Sequence, residues 1–139
     1  MESIVWNDKL SVGVEGIDSD HQRLVDLLND LHEAIRARRG RVNVLSHLDE
    51  LIDYTCYHFS HEEGMFGEDY SEAEEHKAEH QNFVAWLKGM QSRFAHGNAG
   101  VPSLEAVSFL KDWLFHHILV CDRDLGAHLH AAGISLAAR

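Results

Sequence analysis

SEAEEHKAEHQNFVAWLKGMQSRF, residues 71–94, is the stretch on which the fold turns. Its apolar positions Phe83, Leu87, Met90 and Phe94 recur at intervals of three or four, and the same stripe runs back through His80 and His76. That period is the period of an amphipathic helix with one face against a core. Ser71 followed three residues later by Glu74 fits a capping box, which predicts a helix start near Ser71. The unusual part is the inner face: two histidines, one turn apart, sit where apolar residues would be cheapest.

Reading outward, the same period appears three more times. Leu24, Leu28, Leu31 and Ile35 mark a helix from about Ser19 to Arg38, with His21 at the head of its stripe and Gly40 ending it. Leu48, Leu51, Ile52, Thr55, Phe59 and Phe66 mark another from about Val42 to Phe66, and His58 and Glu62 fall on that side. A glycine-rich loop, Gly97 to Pro102, leads to a fourth helix capped by Ser103, with Val107, Leu110, Leu114 and His117 inward. The pattern predicts an all-α chain: an antiparallel four-helix bundle, up-down-up-down, preceded by an extended arm. The arm is residues 1–16, too irregular for a helix. Residues 127–139 read as a short tail that frays.

At 139 residues the chain reads as a single domain, residues 1–139, with one core. It carries a net charge of −11, which argues against nucleic acid. No segment is apolar for long enough to cross a bilayer and no basic head joins an apolar run, so no membrane insertion and a cytoplasmic location are expected. Cys56 and Cys121 are too few for a disulfide scaffold and read as buried thiols.

Histidine is the compositional outlier, with 12 in the chain. At that frequency about one His-x-x-x-His pair arises by chance, so His76 and His80 alone decide little. The combination decides more. Residues four apart on a helix stack on one face, so His58 with Glu62 and His76 with His80 are two preformed chelating pairs. Adding His21, His117 and Asp122 gives five inward imidazoles and two inward carboxylates, a full ligand set for two metal ions. None of the 12 histidines follows a glutamate by three residues, so the Glu-x-x-His pattern of carboxylate-rich oxidative di-iron bundles is absent. With iron in it, a nitrogen-rich shell stabilises the ferrous state and favours reversible O2 binding over oxidative catalysis; the same ligands also suit zinc or manganese in vitro, since geometry and supply decide occupancy. One spacing is awkward: His117 and Asp122 are five apart, about 140° on an ideal helix. Both reach one cluster if the fourth helix ends or is distorted there, as in a π-bulge, or if two metals lie side by side across its face.

Trp6, Ile17-Asp18-x-x-His21, His58-Phe59-x-x-Glu62-Glu63, His76-x-x-x-His80 and Trp113-x-x-x-His117-Ile118-x-x-x-Asp122 resemble the bacterial hemerythrins, over roughly residues 6 to 125. Tyr70-Ser71 stands where family members often carry Tyr-Pro. The resemblance implies the bundle and a centre of two non-haem Fe ions with an oxo or hydroxo bridge and O2 as ligand. It implies that His76, His80 and His117 hold one iron, that His21 and His58 hold the other beside an open position, and that Glu62 and Asp122 bridge. The open position needs a dry lining, for which Trp6, Leu24, Phe59, Trp113, Leu114 and Ile118 are the candidates.

The function expected on this basis is reversible O2 storage, transport or delivery, by a monomer that is not an enzyme, with an O2-consuming enzyme as a partner. The alternatives are an O2- or redox-sensing module and a di-iron enzyme acting on peroxide or nitric oxide. His61 and His116 are expected to point off the inner face, and His32, His47, His96, His128 and His130 to be solvated.

Overall fold

A computed structural model describes residues 6, 8–95 and 104–131. The elements are a 3-10 turn Asp8–Leu10, α1 (Glu15–Arg36), α2 (Arg41–Glu63), α3 (Ala73–Ala95), α4 (Leu104–His117), a π-turn Ile118–Asp122 and α5 (Arg123–Ala131). The last three run on as one rod, so the fold is a four-helix bundle. α1 packs on α2 and α4, and α2 packs on α3. The seam between α3 and α4 is aromatic: Phe83 stacks on Trp113 at 3.9 Å and Trp86 meets Phe109 at 5.1 Å. The expected stripes form the core, with Leu28, Leu31, Leu48, Leu51, Leu87, Val107 and Leu110 almost wholly buried.

The helix ends differ from expectation, each for a local reason. α1 begins at Glu15 rather than near Ser19 because Val14 and Ile17 are fully buried and draw the chain into the bundle a turn earlier. At its other end Arg38, not Gly40, takes the left-handed conformation (φ 55°). Arg39 N–H donates to Ala34 C=O and Arg38 N–H to Ile35 C=O, both at 3.1 Å, which closes a Schellman motif. Gly40, at φ 94°, instead opens α2. α2 stops at Glu63, short of Phe66. α3 starts at Ala73, and the capping box is not formed; the Ser71 hydroxyl turns to the Glu72 carboxylate. The Gly97–Pro102 loop and the Ser103 cap lie outside the described residues.

The arm is a strap on the bundle. Asp18 holds it, accepting from Val12 N–H at 2.8 Å and from the Ser11 hydroxyl. Val12 crosses α5 so closely that a Cβ at Gly126 would lie 2.2 Å from the Val12 carbonyl oxygen, which only glycine permits. Residues 127–131, expected to fray, are helical, because Leu125 and Leu129 are buried beneath this strap. Residues 132–139 lie outside the described residues. Cys56 and Cys121 are free and half-buried rather than buried. His32, expected in solvent, is buried, with Nδ1 3.4 Å from Lys111 Nζ.

Candidate metal centre

All seven expected ligand residues meet at one place between the helices. α1 contributes His21, α2 His58 and Glu62, α3 His76 and His80, and the end of α4 with its π-turn contributes His117 and Asp122. None is more than 2% exposed. They form two overlapping groups. One is Glu62, His76, His80, His117 and Asp122; the other is His21, His58, Glu62 and Asp122.

The two carboxylates belong to both groups, and each divides its oxygens between them. Glu62 turns Oε1 to His80 Nε2 (3.1 Å) and His76 Nε2 (3.4 Å). Its Oε2 faces His58 Nε2 (3.1 Å) and His21 Nε2 (3.4 Å). Asp122 turns Oδ1 to His76 Nε2 (2.9 Å) and His117 Nε2 (3.2 Å), and Oδ2 to His21 Nε2 (2.8 Å). The π-turn makes this possible: its i→i+5 winding brings Asp122 round onto the face that carries His117. Of the options left open by the spacing, the distorted helix is therefore the one realised.

Local polarity tests whether cations fit here. His21 Nε2, His58 Nε2, both Glu62 oxygens and Asp122 Oδ2 are buried and make no hydrogen bond of acceptable geometry. A buried unsatisfied polar atom costs about 1–3 kcal/mol, so five converging on one point fit a site that cations would complete. His117 Nε2 lies 3.2 Å from His76 Nε2 and 3.1 Å from His80 Nε2. Metal–imidazole bonds of about 2.1 Å meeting at right angles set donors about 3.0 Å apart, so the spacing suits one ion at the centre of three.

Electrostatics say the same. Burial pushes His58 down, but the Glu62 charge and the hydrogen bond to Asp20 outweigh it and raise it to about 10. Burial opposes His76 likewise, yet its hydrogen bond to Asp122 and the nearby Glu62 charge raise it to about 9. His21 is raised by Asp122 and Glu62 against the same burial. Burial pushes Glu62 up, and the His58 charge with the close approach of the His21 and His76 imidazoles holds it well below the usual carboxylate range. Without metal, protons on the imidazoles balance the two buried carboxylates, and metal ions take over that role when they displace them.

Outer partners fix the rings. His58 Nδ1–H donates to Asp20 Oδ2 at 3.0 Å, and His80 Nδ1–H donates to Glu63 Oε2 at 2.8 Å. His76 Nδ1 lies 3.2 Å from the Tyr70 hydroxyl. Each bond leaves Nε2 as the nitrogen facing the cluster. Asp20, Glu63 and Tyr70 are not among the site residues expected from the sequence. A signal existed: Asp20 precedes His21 and Glu63 follows Glu62, about 100° off the ligand face, where a side chain reaches the neighbouring helix. His61, expected off the inner face, also bonds Asp20, at 2.6 Å. His116 is exposed, as expected; His47 and His128 are half-buried and His130 exposed, and His96 lies outside the described residues.

The candidate lining residues divide. Phe59 stacks flat on His80 (3.7 Å, 6°) and Trp113 on His117 (4.6 Å, 11°), so both wall the three-histidine side. Leu24, Leu114 and Ile118 are buried, the first two one turn from His21 and His117 and the third next to His117 in sequence, and Trp6 is partly buried against the core. No helix among the described residues is long and apolar enough to cross a membrane.

Comparison with known proteins agrees with this geometry. A family profile described as the hemerythrin HHE cation binding domain matches residues 12–129. A bacteriohemerythrin of Stenotrophomonas maltophilia (strain R551-3) is 36% identical over 119 residues, covering 85% of this chain and 76% of that one. A bacteriohemerythrin of Methylococcus capsulatus (strain Bath) is 36% identical over 115 residues, covering 82% and 86%. A crystal structure of wild-type hemerythrin superposes with a TM-score of 0.84 at 30% identity, covering 91% of this chain and 97% of that one.

Proposed function

The chain belongs to the hemerythrin family, whose members bind O2 at a di-iron centre rather than turning over a substrate, and on that premise we propose that this protein binds O2 reversibly for storage or delivery. His76, His80 and His117 would hold one iron, His21 and His58 the other, and Glu62 and Asp122, which face both groups, would be shared between them. The observation that supports this reading is the division of each bridging carboxylate between the two sets of imidazoles, three on one side and two on the other. The two-histidine side offers one imidazole fewer than the other, so a metal held there would keep a position free for O2.

Iron held there would supply the electrons for O2 binding. The protein's own residues do the rest. The outer bonds from Asp20, Glu63 and Tyr70 hold three of the imidazoles in one tautomer and orientation. The nitrogen-rich shell favours the ferrous resting state. Leu24, Leu114 and Ile118 exclude water and protons, so that O2 leaves as O2.

The test is to count iron in the purified chain, reduce it anaerobically and follow the visible spectrum through O2 admission and degassing. Two irons per chain and a colour that appears and reverses are expected. Irreversible oxidation would favour a sensing role or chemistry on peroxide or nitric oxide, and a spectrum without di-iron bands would overturn the assignment.

A further inference from the structure

Asp20 carries more than a single ring contact requires. Its carboxylate is 8% exposed and is surrounded by donors from α2. Oδ2 accepts from His58 Nδ1–H at 3.0 Å and from His61 Nδ1–H at 2.6 Å, while Oδ1 accepts from the Tyr54 hydroxyl at 3.0 Å. His61 is 23% exposed at its side chain and stacks on Tyr57, itself exposed, so the cluster runs from the candidate centre to the surface. The other carboxylate partner, Glu63 on His80, is 32% exposed. Among the described residues the Nδ1 atoms of His21 and His117 have no hydrogen-bond partner. On the two-histidine side, therefore, the outer charge comes from Asp20, and a buried charge acts more strongly than a solvated one.

We propose that Asp20 is the positioning residue that sets the electron donation of His58 to the iron on the O2-binding side, and that Tyr54 and His61 moderate it by sharing the same carboxylate. An anionic acceptor at Nδ1 makes an imidazole a stronger donor through Nε2 and orients its ring. Stronger donation stabilises the ferric state. Each further donor to Asp20 spreads its negative charge and weakens that pull, so Tyr54 works against Asp20 although both belong to one network. The inference rests on His58 being an iron ligand.

Two variants with opposite expected signs test it, neither altering a proposed ligand. Asp20→Asn removes the charge but keeps the shape; the midpoint potential of the loaded centre should rise. Its affinity for Co2+, titrated into the metal-free protein, should fall by about 10- to 100-fold. Tyr54→Phe removes one competing donor, and the potential should fall with two irons retained. A part that only held the helices together would not produce shifts of opposite sign. Wild-type potentials in both variants, or shifts in the same direction, would overturn the proposal while leaving reversible oxygenation intact. Should Asp20→Asn lose its iron, Tyr54→Phe decides alone: a lowered potential supports the role and an unchanged one removes it. A wild-type chain that never holds two irons would instead overturn the ligand reading, and this inference with it.

Discussion

His117 Nε2 lies 3.2 Å from Asp122 Oδ1 although the two residues are five apart on one rod of helix, because the backbone from Ile118 to Asp122 winds as a π-turn. An α-helix would carry them about 140° apart. The wider turn is the local irregularity that lets one element supply both a terminal imidazole and a shared carboxylate.

Asp122→Ala should therefore separate folding from metal loading. The variant removes one of two carboxylates that face both histidine groups. Iron should drop from two per chain to one or fewer, while far-ultraviolet circular dichroism of the metal-free protein stays helical. Two irons retained per chain would remove Asp122 from the bridge.

Metal-free protein should lose stability as the pH rises. His58 and His76 stand at about 10 and 9 in the fold against an ordinary 6.5. Groups raised on folding contribute stability that is complete below the unfolded value and is lost as pH climbs through the folded one. The Tm of metal-free protein should fall between pH 6.5 and about 10. Iron-loaded protein should lack that fall, since bound metal replaces the protons. Parallel Tm profiles for the two forms would contradict the charge balance described above.

Leu114→Asn places a polar group one turn before His117, at a position 2% exposed. Autoxidation should quicken by a larger factor than iron content falls. Rates are read from the decay of the oxygenated band. An autoxidation rate equal to that of the parent would take Leu114 out of the pocket lining.

Phe59→Ala should cost both packing and shielding. The ring lies 3.7 Å from the His80 ring, and both residues line a groove of about 400 Å3 between α2 and α3. Truncating a buried phenylalanine costs about 3–5 kcal/mol, so Tm should drop by several degrees or more. Loss of iron to a chelator should accelerate as well. A lower Tm with unchanged chelation kinetics would assign Phe59 to the core alone.

Cys121 should resist alkylation. Burial, with the Glu79 carboxylate beside it, pushes its thiol up to about 12. Thiolate is the reactive form, so iodoacetamide at pH 8 should modify native Cys121 far more slowly than the unfolded chain. Comparable rates in the two states would contradict this environment.

Much of this was already legible in the chain. The stripe Phe83, Leu87, Met90, Phe94 and its counterparts determine four helices, because a 3.6-residue period needs only local sequence to read. His58 with Glu62 and His76 with His80 were legible for the same reason: each pair lies within one turn of one helix. What only tertiary structure decided depends on a second helix. Asp20 stands beside His21 yet serves His58 on α2, and Glu63 stands beside Glu62 yet serves His80 on α3. Burial of His32 against Lys111 and the α5 turns under Val12 likewise come from elements far away in sequence. The π-turn lies between these cases. The spacing of His117 and Asp122 posed the question, and the backbone winding that answers it is fixed where the bundle brings Asp122 against histidines of α1 and α3.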